Sequence, residues 1–361
     1  MNHAARIQSA RTLMESQGLD AMLLSVGADL PYFTGYTAMP LERLTMLVLP
    51  VSGPATLLVP ELEAPRVVQK PGVFEIRPWG ETEDPVRIVA DLVPGARRVA
   101  IGDQTWSTFL LQLQEQLSQA VFVQASVLTA ELRIRKDAAE IDLLRQAGAA
   151  ADRVAARLAD MQFSGKTERE LSRVIVGMLL EEGHEEVDFA LVGSGPNGAS
   201  PHHEASDRVI EAGDAVVCDF GGALGGYYSD TTRMFVVGEA PEGFAEPFAV
   251  LRRAQAVAVD AVRPGVTAEF IDAAARGVIA DAGYAEFFIH RTGHGIGLDV
   301  HEHPYIVEGN DTVLAPGMVF SIEPGIYLPG RFGMRIEDIV AVTDDGVERL
   351  NQSSRDLVTV T

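Results

Sequence analysis

The chain has 361 residues, which at about 150 residues per domain predicts two domains. Apolar residues make up 47% and charged residues 22% of the chain, so disordered and fibrous classes are excluded. The net charge of −22 argues against nucleic acid as a partner, because phosphate binding needs a basic surface. The single cysteine, Cys218, excludes an internal disulfide framework and fits a reducing compartment.

Two further features concern location and the distribution of charge. Charged residues interrupt the N-terminal segment, which predicts no signal peptide. The longest uncharged run, 44–60, is broken by prolines and is too short to span a bilayer. We therefore expect a cytoplasmic protein without a membrane partner.

Residues 1–130 carry a net charge of −4 and residues 131–361 carry −18. This acidic second half is either a solvated surface or a region where carboxylates surround cations.

Short apolar segments alternate with helical patterns in the N-terminal part of the chain. Apolar residues at Ile7, Leu13 and Met14 predict a helix over 5–17 that ends at Gly18. This alternation is typical of an α/β domain covered by helices, which we place at residues 1–128. Its other expected elements are helices near 85–94 and 106–119 and strands over 21–26, 45–49, 55–59, 74–79 and 99–101.

The pattern changes after residue 129, where alanine, leucine, arginine and glutamate dominate Ala130–Met161 without proline. This composition predicts one long helix that opens a second domain, placed at residues 129–361. Another helix is expected from Thr167, because Thr167 and Glu170 have the spacing of a capping box. Strands with glycine-rich turns follow, interrupted by two helices near 246–262 and 267–282.

Two aspartates stand in segments that otherwise have the composition of apolar strands. Asp219 lies in Val216–Phe220 and Asp230 lies in Tyr227–Val236, although aspartate is depleted from strands. A hairpin centred on the Leu224–Gly225 bond would place the two aspartates directly opposite each other, with β-carbons about 5 Å apart. Like charges at that distance are destabilising, so the pair predicts a cation between them.

A second pair of carboxylates has the same arrangement further along the chain. Glu323 and Glu337 are equidistant from Gly330, so a hairpin that turns there would oppose the two glutamates. One such pair is also compatible with an exposed polar face. Two pairs embedded among valine, isoleucine and phenylalanine favour cation binding over that alternative.

A histidine flanked by glycines lies between the two hairpins. Glycine on both sides of His294 lets backbone or a ligand approach closely, which distinguishes it from a satisfied core histidine. Four carboxylates and one imidazole match the charge of two divalent cations. Oxygen-rich ligation favours Mn²⁺ or Co²⁺ over the zinc of sulfur-rich structural sites. A pair of such ions can activate water and polarise a carbonyl.

These residues carry a resemblance to a known family. Their order and flanking sequences, such as Ser-Asp-Thr-Thr-Arg and Glu-Pro-Gly, resemble those of the M24 pita-bread metallopeptidases. Pro201-His202 resembles the Xaa-Pro peptidase branch, the prolidases and aminopeptidases P. The resemblance implies a creatinase-like N-terminal α/β domain at 1–128 and an α+β pita-bread catalytic domain at 129–361. It also implies a homodimer, Xaa-Pro peptides as substrates and five metal ligands: Asp219, Asp230, His294, Glu323 and Glu337.

The resemblance implies a separate role for each metal ligand. Asp219 would chelate one ion, Asp230 and Glu337 would bridge the two, and His294 with Glu323 would complete the second site. Glu323 would also act as the general base that takes the proton of the attacking water. Two divalent ions are expected, with Mn²⁺ first and Co²⁺ or Zn²⁺ as the alternatives.

Other residues are implied to act on the substrate. His202 would donate to the scissile carbonyl and stabilise the oxyanion, and the Pro-His order selects it over the adjacent His203. His301 would hold the substrate. Three residues border the substrate pocket in relatives: Tyr227, His290 and Arg335. Arg233 is interpreted as structural, a residue that orients a carboxylate. Cys218 is expected to point away from Asp219 into the core.

The substrate preference has two interpretations, Xaa-Pro dipeptides or longer peptides. A bond before proline has no N–H, which suits a pocket that grips the ring and the carbonyl. A dipeptidase also needs a group that binds the carboxylate after proline, and an arginine fork suits this. Arg43 is the favoured reader, although it could merely pair with Glu42 or another acid. Arg335 is the rival, and its place beside Glu337 favours a role in the metal site.

Three other classes are weighed against a Xaa-Pro peptidase. A metal-free creatinase would lack the five ligands, which are all present here. A pita-bread domain that only binds partners would not need His202 and His301 beside them. Methionine aminopeptidases usually lack the N-terminal domain. The sequence therefore predicts a metal-dependent Xaa-Pro dipeptidase, with aminopeptidase P as the alternative.

Overall fold

The structure is a computed structural model that describes residues 2–361. The chain divides into two compact units, the first ending at Arg133 and the second spanning Ile134–Thr361. The division follows shortly after the boundary that the sequence predicts at residue 128. No helix among the residues described is long and apolar enough to cross a membrane.

The first unit is built on a six-stranded mixed sheet. Its strands lie in the order β4-β3-β2-β1-β5-β6. Strand β2 is antiparallel to β1 and β3, and the other neighbours are parallel. The strands are β1 (Ala21–Leu24), β2 (Met46–Pro50), β3 (Thr56–Pro60), β4 (Glu75–Trp79), β5 (Arg98–Ile101) and β6 (Val121–Gln124). The helices are α1 (His3–Gln17), α2 (Asp29–Thr34), α3 (Pro85–Leu92), α4 (Ser107–Gln116) and α5 (Ser126–Arg133).

Most elements of this unit agree with the sequence prediction, and their ends have identifiable causes. Helix α1 ends at Gly18, whose φ of 64° lets its N–H reach the carbonyls of Glu15 and Met14. Helix α3 begins after Asp84, whose side chain accepts hydrogen bonds from the first turn. Strand β6 and helix α2 are not anticipated by the sequence pattern.

The second unit contains two larger sheets, one two-stranded ribbon and four helices. The first sheet has the order β17-β9-β8-β7, and the second has the order β11-β10-β12-β15-β16. Strands of the first sheet are β7 (Glu186–Ser194), β8 (Ala215–Leu224), β9 (Tyr227–Val237) and β17 (Val358–Val360). Strands of the second are β10 (Gly293–Gly295), β11 (Glu302–Ile306), β12 (Val319–Ile322), β15 (Asp338–Val342) and β16 (Val347–Arg349). The ribbon pairs β13 (Gly325–Leu328) with β14 (Phe332–Arg335), and the helices are α6 (Ala138–Ala159), α7 (Glu168–Glu181), α8 (Ala245–Ala261) and α9 (Ala268–Asp281).

One long helix over 130–161 is a wrong prediction, because the chain forms α5 and then α6. Asp137 caps α6 in a capping box with Glu140, which starts a new helix. The residues before it are extended, and the N–H of Lys136 donates to the carbonyl of Gly317. The capping box predicted at Thr167 and Glu170 is confirmed at the start of α7.

Strand alternation sorts the side chains of β8 and β9 between two cores. On one face, Cys218 and Phe235 belong to a buried cluster with residues of α6 and α7. On the other face, Val217 and Met234 belong to a cluster with residues of α8, α9 and the second sheet. Asp219 and Asp230 have the same parity as Val217 and Met234, respectively, so both lie on the face directed towards the second sheet. Cys218 is fully buried on the opposite face, as predicted.

Candidate metal centre

A cavity of about 530 Å³ lies in the second unit. It brings together all five predicted metal ligands and four of the other predicted site residues. Its lining includes Asp219, Asp230, His294, Glu323 and Glu337, together with His202, His290, His301 and Arg335. Residues that are more than a hundred positions apart in sequence therefore meet at one place.

The β8–β9 hairpin brings Asp219 and Asp230 to one face, but in a different register from the predicted one. Asp219 pairs with Thr232, and Asp230 pairs with Gly221. The hairpin turns at Gly225 and Gly226, whose φ values of 59° and 78° suit the mirror-image turn that matches strand twist. The two aspartates are therefore diagonal neighbours on one face instead of directly opposed residues. The face is unchanged because the shift is two residues.

The second predicted hairpin is confirmed in register but is interrupted at the two glutamates. Its turn lies at Gly330, and Leu328 pairs with Phe332 in the β13–β14 ribbon. The same register continues where β12 pairs with β15. Glu323 and Glu337 lie at the gap between these two paired regions, where neither residue belongs to a strand. Both carboxylates face the cavity at this gap.

Three of the predicted ligands have donor atoms that lie very close together. Ligand atoms of Asp230, His294 and Glu337 are all within 4.8 Å of one another. His294 Nε2 is 3.6 Å from Asp230 Oδ2 and 3.2 Å from Glu323 Oε1. Donor atoms at these separations can surround a common cation.

Two carboxylate oxygens in this group are buried without a hydrogen-bond partner among the described residues. They are Asp219 Oδ1 and Glu337 Oε1. An unpaired buried charge is costly, so these oxygens require a partner that protein atoms do not provide. A divalent cation is such a partner for clustered carboxylates. The donor set therefore fits divalent metal ions.

The electrostatics of the carboxylates agree with this fit. Burial raises the pKa of Asp230 well above its ordinary value, and the charge of Asp219 raises it further. Burial likewise raises the pKa of Glu337, with an added contribution from Asp230. The protein groups alone therefore do not balance the negative charge of this cluster.

Backbone packing explains why glycines flank His294. A Cβ at Gly293 would lie 1.9 Å from the carbonyl oxygen of Ser321, and one at Gly295 would lie 2.2 Å from that of His303. Only glycine permits such close strands. The Nδ1 atom of His294 lies 3.1 Å from the carbonyl oxygen of Gly295. Because a carbonyl only accepts, Nδ1 carries the proton and Nε2 faces the carboxylates.

His294 and Glu323 stabilise each other's charged forms. Burial is the largest influence and acts to lower the pKa of His294, but the hydrogen bond to Glu323 together with the charges of Glu323 and Asp230 raises it. Burial alone would raise the pKa of Glu323, but the hydrogen bond and charge of His294 lower it to about 2. Glu323 Oε1 also accepts a hydrogen bond of 3.0 Å from Ser321 Oγ. Glu323 is thus held ionised with its carboxylate at the cavity.

Arg335 organises the metal side of the cavity. Its Nη2 donates to Asp219 Oδ2, and its Nε donates to Thr232 Oγ1 at 3.0 Å. Its Nη1 donates to Tyr327 Oη at 2.8 Å and lies 3.3 Å from the carbonyl oxygen of Pro201. All three guanidinium nitrogens are engaged, which agrees with a role in the metal site.

Tyr327 connects two residues of the cavity wall, and the sequence analysis did not identify it. His290 Nδ1 donates to the carbonyl of Arg291 at 2.7 Å, so its Nε2, 2.9 Å from Tyr327 Oη, accepts from that hydroxyl. The hydroxyl in turn accepts from Arg335. Burial raises the pKa of Tyr327 to about 12 and lowers the pKa of His290. A neutral tyrosine and a neutral imidazole therefore connect Arg335 to the predicted substrate residue His290.

The two predicted catalytic histidines both line the cavity. His202 is on the loop between β7 and β8, and it is exposed to the cavity. The His301 ring packs edge-on against the ring of His294, with centroids 4.1 Å apart. His203, the neighbour that the sequence could confuse with His202, instead places its Nε2 2.8 Å from Glu168 Oε2.

Tyr227 does not line this cavity. Tyr227 is buried, and its hydroxyl donates to Glu140 of α6 at 2.7 Å. It is three residues from Asp230 on the same strand, an odd separation that directs the two side chains to opposite faces. The assignment of Tyr227 to the substrate pocket is therefore corrected. Arg43 belongs to the first unit and is hydrogen-bonded to Glu42 and Glu81, at 2.6 and 3.0 Å.

Arg233 orients the segment that follows Glu337, as the sequence interpretation holds. Its guanidinium donates to the carbonyl oxygen of Glu337 at 2.6 Å and to Asp338 Oδ1 at 2.8 Å. The other oxygen of Asp338 accepts from Arg349 at 2.9 Å and from Arg355 at 2.5 Å. Glu337 is thus fixed through its own backbone and its neighbour.

The apolar part of the cavity wall also escaped the sequence analysis. Phe189 and Leu191 of β7 and Val300 line the cavity, and Leu191 is the cross-strand neighbour of Asp219. The two residues of β7 are separated by two positions, the period of one strand face, which is the only signal in the sequence that links them. Such residues are indistinguishable from core positions until the sheet is assembled.

With this geometry in place, the chain can be assigned to a family. Residues 142–344 match the metallopeptidase family M24, and residues 6–135 match the creatinase/prolidase N-terminal domain. The chain belongs to the M24 metallopeptidase family, with a creatinase-type N-terminal domain. The predicted family and pita-bread fold class are confirmed.

Individual relatives agree with this assignment over nearly the full chain. The chain is 46% identical to a probable dipeptidase PepE of Mycobacterium tuberculosis, covering 99% of this chain and 96% of the relative. It is 33% identical to a Xaa-Pro dipeptidase of Pyrococcus horikoshii, covering 98% of both chains. Among solved structures, it matches a recombinant prolidase from Thermococcus sibiricus with a TM-score of 0.95 at 39% identity, covering both chains completely.

Proposed function

We propose that this chain hydrolyses the peptide bond before proline, with two divalent metal ions in the cavity of its second unit. The observation that carries the proposal is the pair of buried oxygens without partners, Asp219 Oδ1 and Glu337 Oε1, in a cavity that also holds Asp230, His294 and Glu323. The names of the relatives, dipeptidase and prolidase, support the choice of substrate.

The five residues would divide between two ion sites. Asp219 would hold one ion, His294 and Glu323 the other, and Asp230 and Glu337 would contribute to both. When bound, the ions would polarise the scissile carbonyl and promote ionisation of the attacking water. Mn²⁺ is the proposed ion, because four of the five donors are carboxylates, with Co²⁺ and Zn²⁺ as the alternatives.

Glu323 would accept the proton of the attacking water. It is the least buried of the four carboxylates that line the cavity, with a side chain 14% exposed. Hydrogen bonds from Ser321 and His294 fix its orientation. A carboxylate fixed in this way can accept a proton and return it to the leaving imino nitrogen of proline.

Two histidines would act directly on the substrate. His202 is exposed to the cavity and would donate to the scissile carbonyl oxygen as negative charge develops there. His301, packed against His294, would hold the peptide beside the metal ligands. His290, which accepts from Tyr327, would border the same pocket.

The apolar wall suits a prolyl ring. Phe189, Leu191 and Val300 line the same cavity as the charged residues, and Leu191 is paired with Asp219 across the strands. A proline residue offers a compact apolar ring and no amide N–H, so recognition has to rely on ring packing and on the carbonyl. A wall of this kind beside a polarised carbonyl site provides both interactions.

We propose dipeptides as the preferred substrates, with Arg43 as the reader of the free carboxylate. The engagement of all three nitrogens of Arg335 by Asp219, Thr232, Tyr327 and Pro201 argues against the rival reader. Arg43 is exposed in part and its present partners, Glu42 and Glu81, are exposed acids that a substrate carboxylate can replace.

A cytoplasmic homodimer completes the proposal. The single buried cysteine and the absence of a membrane-spanning helix among the described residues are compatible with that location. Size-exclusion chromatography with light scattering would give the mass of the assembly directly, and a mass of one chain would contradict the dimer.

The deciding experiment compares matched dipeptides. Purified chain, stripped of metal and then supplied with Mn²⁺, should release proline from Ala-Pro and should leave Ala-Ala intact. Ala-Pro-Ala should be cleaved more slowly than Ala-Pro. Faster cleavage of the tripeptide would replace the dipeptidase by an aminopeptidase P activity. Binding of Mn²⁺ without hydrolysis of any of these peptides would contradict the proposed function.

A further inference from the structure

A second cluster of polar groups lies behind the loop that carries His202. At its centre is Glu168, the first residue of α7, whose side chain is fully buried. Seven hydrogen bonds converge on its carboxylate from four residues of the segment 194–206, the anchored loop. The donors are Ser194 N and Oγ, Asn197 Nδ2 to both oxygens, His203 Nε2, and Ser206 N and Oγ, at 2.6–3.2 Å.

These contacts fix a stretch of chain that has little regular structure. The anchored loop consists of the end of β7, a short 3₁₀ turn and irregular residues. Loops of this kind are mobile unless their backbone or side chains are held. Each oxygen of an ionised carboxylate accepts about two hydrogen bonds, so the donors of this one loop fill the acceptor capacity of Glu168, with some of the seven contacts sharing an acceptor site.

The buried charge of Glu168 depends on the loop in turn. Burial acts to raise the pKa of Glu168, but hydrogen bonds from Ser206, His203 and Ser194 outweigh it and lower the pKa to about 2. Without these donors an ionised side chain at this depth would be strongly unfavourable. The carboxylate and the loop conformation are therefore mutually required.

The anchored loop presents adjacent histidines to opposite sides. His203 is directed to Glu168, and His202 is directed to the cavity. The loop is also held from the cavity side, because Arg335 Nη1 lies 3.3 Å from the carbonyl oxygen of Pro201. His202 is thus the residue between two attachment points, one on α7 and one at the metal site.

We propose that Glu168 is a positioning residue for His202, acting through the anchored loop. This inference rests on the proposed function, because it gives His202 a reason to be held accurately. Donors that stabilise developing charge lose effect when they are displaced by about 1 Å, so a fixed loop preserves catalysis. Glu168 itself does not line the cavity.

The test is a double-mutant cycle between Glu168 and His202. In the Mn²⁺-loaded enzyme, Glu168→Gln should lower kcat/KM for Ala-Pro about tenfold, mainly through kcat, with metal content unchanged. In a His202→Ala background the same substitution should change kcat/KM less than about twofold, because there is no side chain left to position. Equal losses in both backgrounds would overturn the inference.

The matched control is Glu170→Gln on the same helical turn. Glu170 is exposed and its carboxylate accepts from the backbone N–H of the capping residue Thr167, and glutamine preserves that capping box. This variant should have wild-type kinetics. If Glu168→Gln does not fold, Ser206→Ala removes one donor from the carboxylate and should give a smaller loss with the same dependence on His202.

Hydrogen exchange separates failure of this inference from failure of the proposed function. Amide exchange within residues 194–206 should accelerate in Glu168→Gln and not in Glu170→Gln, whether or not Ala-Pro is a substrate. Unchanged protection of that loop would overturn the inference even if the enzyme is a Xaa-Pro peptidase. If His202→Ala alone leaves kcat unchanged, the proposed role of His202 fails, and the positioning role of Glu168 fails with it.

Discussion

Buried carboxylates of the second unit fall into two groups with opposite properties. The cavity carboxylates, Asp219, Asp230, Glu323 and Glu337, crowd together, and two of their oxygens have no protein partner. The framework carboxylates are equally buried but are saturated with donors. Three of them lie close in sequence or space to site residues: Glu168 with the anchored loop, Asp272 with Arg276 and Thr292, and Asp338 with Arg233, Gln255, Arg349 and Arg355.

The comparison shows how structural carboxylates can be distinguished from metal-binding carboxylates in a fold of this kind. Each framework carboxylate fixes a segment beside a site residue: Glu168 the loop of His202, Asp272 the backbone that precedes His294, and Asp338 the residue after Glu337. The negative charge of each framework carboxylate is stabilised by hydrogen-bond donors of the protein. The cavity group requires charge from outside the protein.

The largest expected effect comes from removing a cavity carboxylate. Asp219→Asn and Glu337→Ala should each lose bound metal and nearly all activity, because the remaining donors no longer match the charge of two cations. Elemental analysis and Ala-Pro hydrolysis measure both effects. Glu348→Ala, which removes an exposed partner of Arg145, is the control and should retain both properties. Full metal content in either ligand variant would rule out the assignment.

The sign of a stability change distinguishes the two groups in the metal-free chain. Asp338→Asn breaks a buried cluster that includes three arginines, and it should cost about 3–5 kcal/mol of unfolding free energy. Asp230→Asn removes repulsion from Asp219 and should raise the melting temperature by a few degrees. Thermal unfolding in the presence of a chelator measures both. Destabilisation by Asp230→Asn would contradict the distinction between cavity and framework carboxylates.

The adjacent histidines of the anchored loop allow the same comparison, because His202 faces the cavity and His203 binds the framework residue Glu168. His202→Ala should keep both metals and lose kcat by roughly 10²–10³-fold, the size expected for one donor to a developing oxyanion. His203→Ala should mainly lower thermal stability, because it leaves Glu168 short of a donor. Kinetics and unfolding of both variants give the comparison. A large catalytic loss confined to His203→Ala would move the assignment by one residue.

The pH dependence of the unfolding free energy should show that the charge of the framework residue Glu168 is stabilising. The folded pKa of Glu168 is about 2, below its ordinary value of 4.5, so the unfolded chain binds more protons between these values. Its contribution, roughly 3 kcal/mol, is present above about pH 4.5 and is lost as the pH falls towards 2. The stability difference between wild type and Glu168→Gln should therefore shrink in acid.

The control for this titration is Glu115→Gln, which changes an exposed residue of α4. Denaturant unfolding between pH 7 and pH 3 should show little difference between that variant and wild type. A difference for Glu168→Gln that stays constant over the same range would show that the charge of Glu168 is not stabilising.

The smallest expected effect on stability concerns exposed carboxylates, which belong to neither group. Arg43→Ala removes the partner of Glu42 and Glu81 and should leave the melting temperature nearly unchanged, because exposed pairs are screened. Its expected effect is on selectivity, with the Ala-Pro to Ala-Pro-Ala ratio of kcat/KM falling about tenfold. Arg77→Ala, which breaks a similar exposed pair with Glu83, is the control. An unchanged ratio would exclude Arg43 from substrate selection.

Local patterns predicted much of the cavity group. Asp219 and Asp230 were recognisable because aspartate is depleted from apolar strands. The predicted register was wrong, but the two side chains still lie on the predicted face of the sheet. The turn uses Gly225 and Gly226, one residue later than expected, which shifts the pairing by two and preserves parity. Tyr227 was implied only by the family resemblance, and its odd separation from Asp230 on β9 directs it to the opposite face.

The framework group could not be predicted in the same way. The saturation of Glu168 depends on a loop that returns to the start of α7 after a full strand, and no local pattern records that return. Tyr327 was not predicted because its role depends on contacts with His290 and Arg335, which form only in the folded structure. The break before α6 did have a local signal, the Asp137–Glu140 capping box.

The most direct test of the central claim is a metal titration of the stripped chain, with activity and bound metal measured together. The account predicts no Ala-Pro hydrolysis without metal, and activity that rises with Mn²⁺ and reaches its plateau at two ions per chain. In Asp219→Asn the same titration should bind less metal and restore almost no activity. Full Ala-Pro hydrolysis by chain that elemental analysis shows to be free of metal would contradict the account.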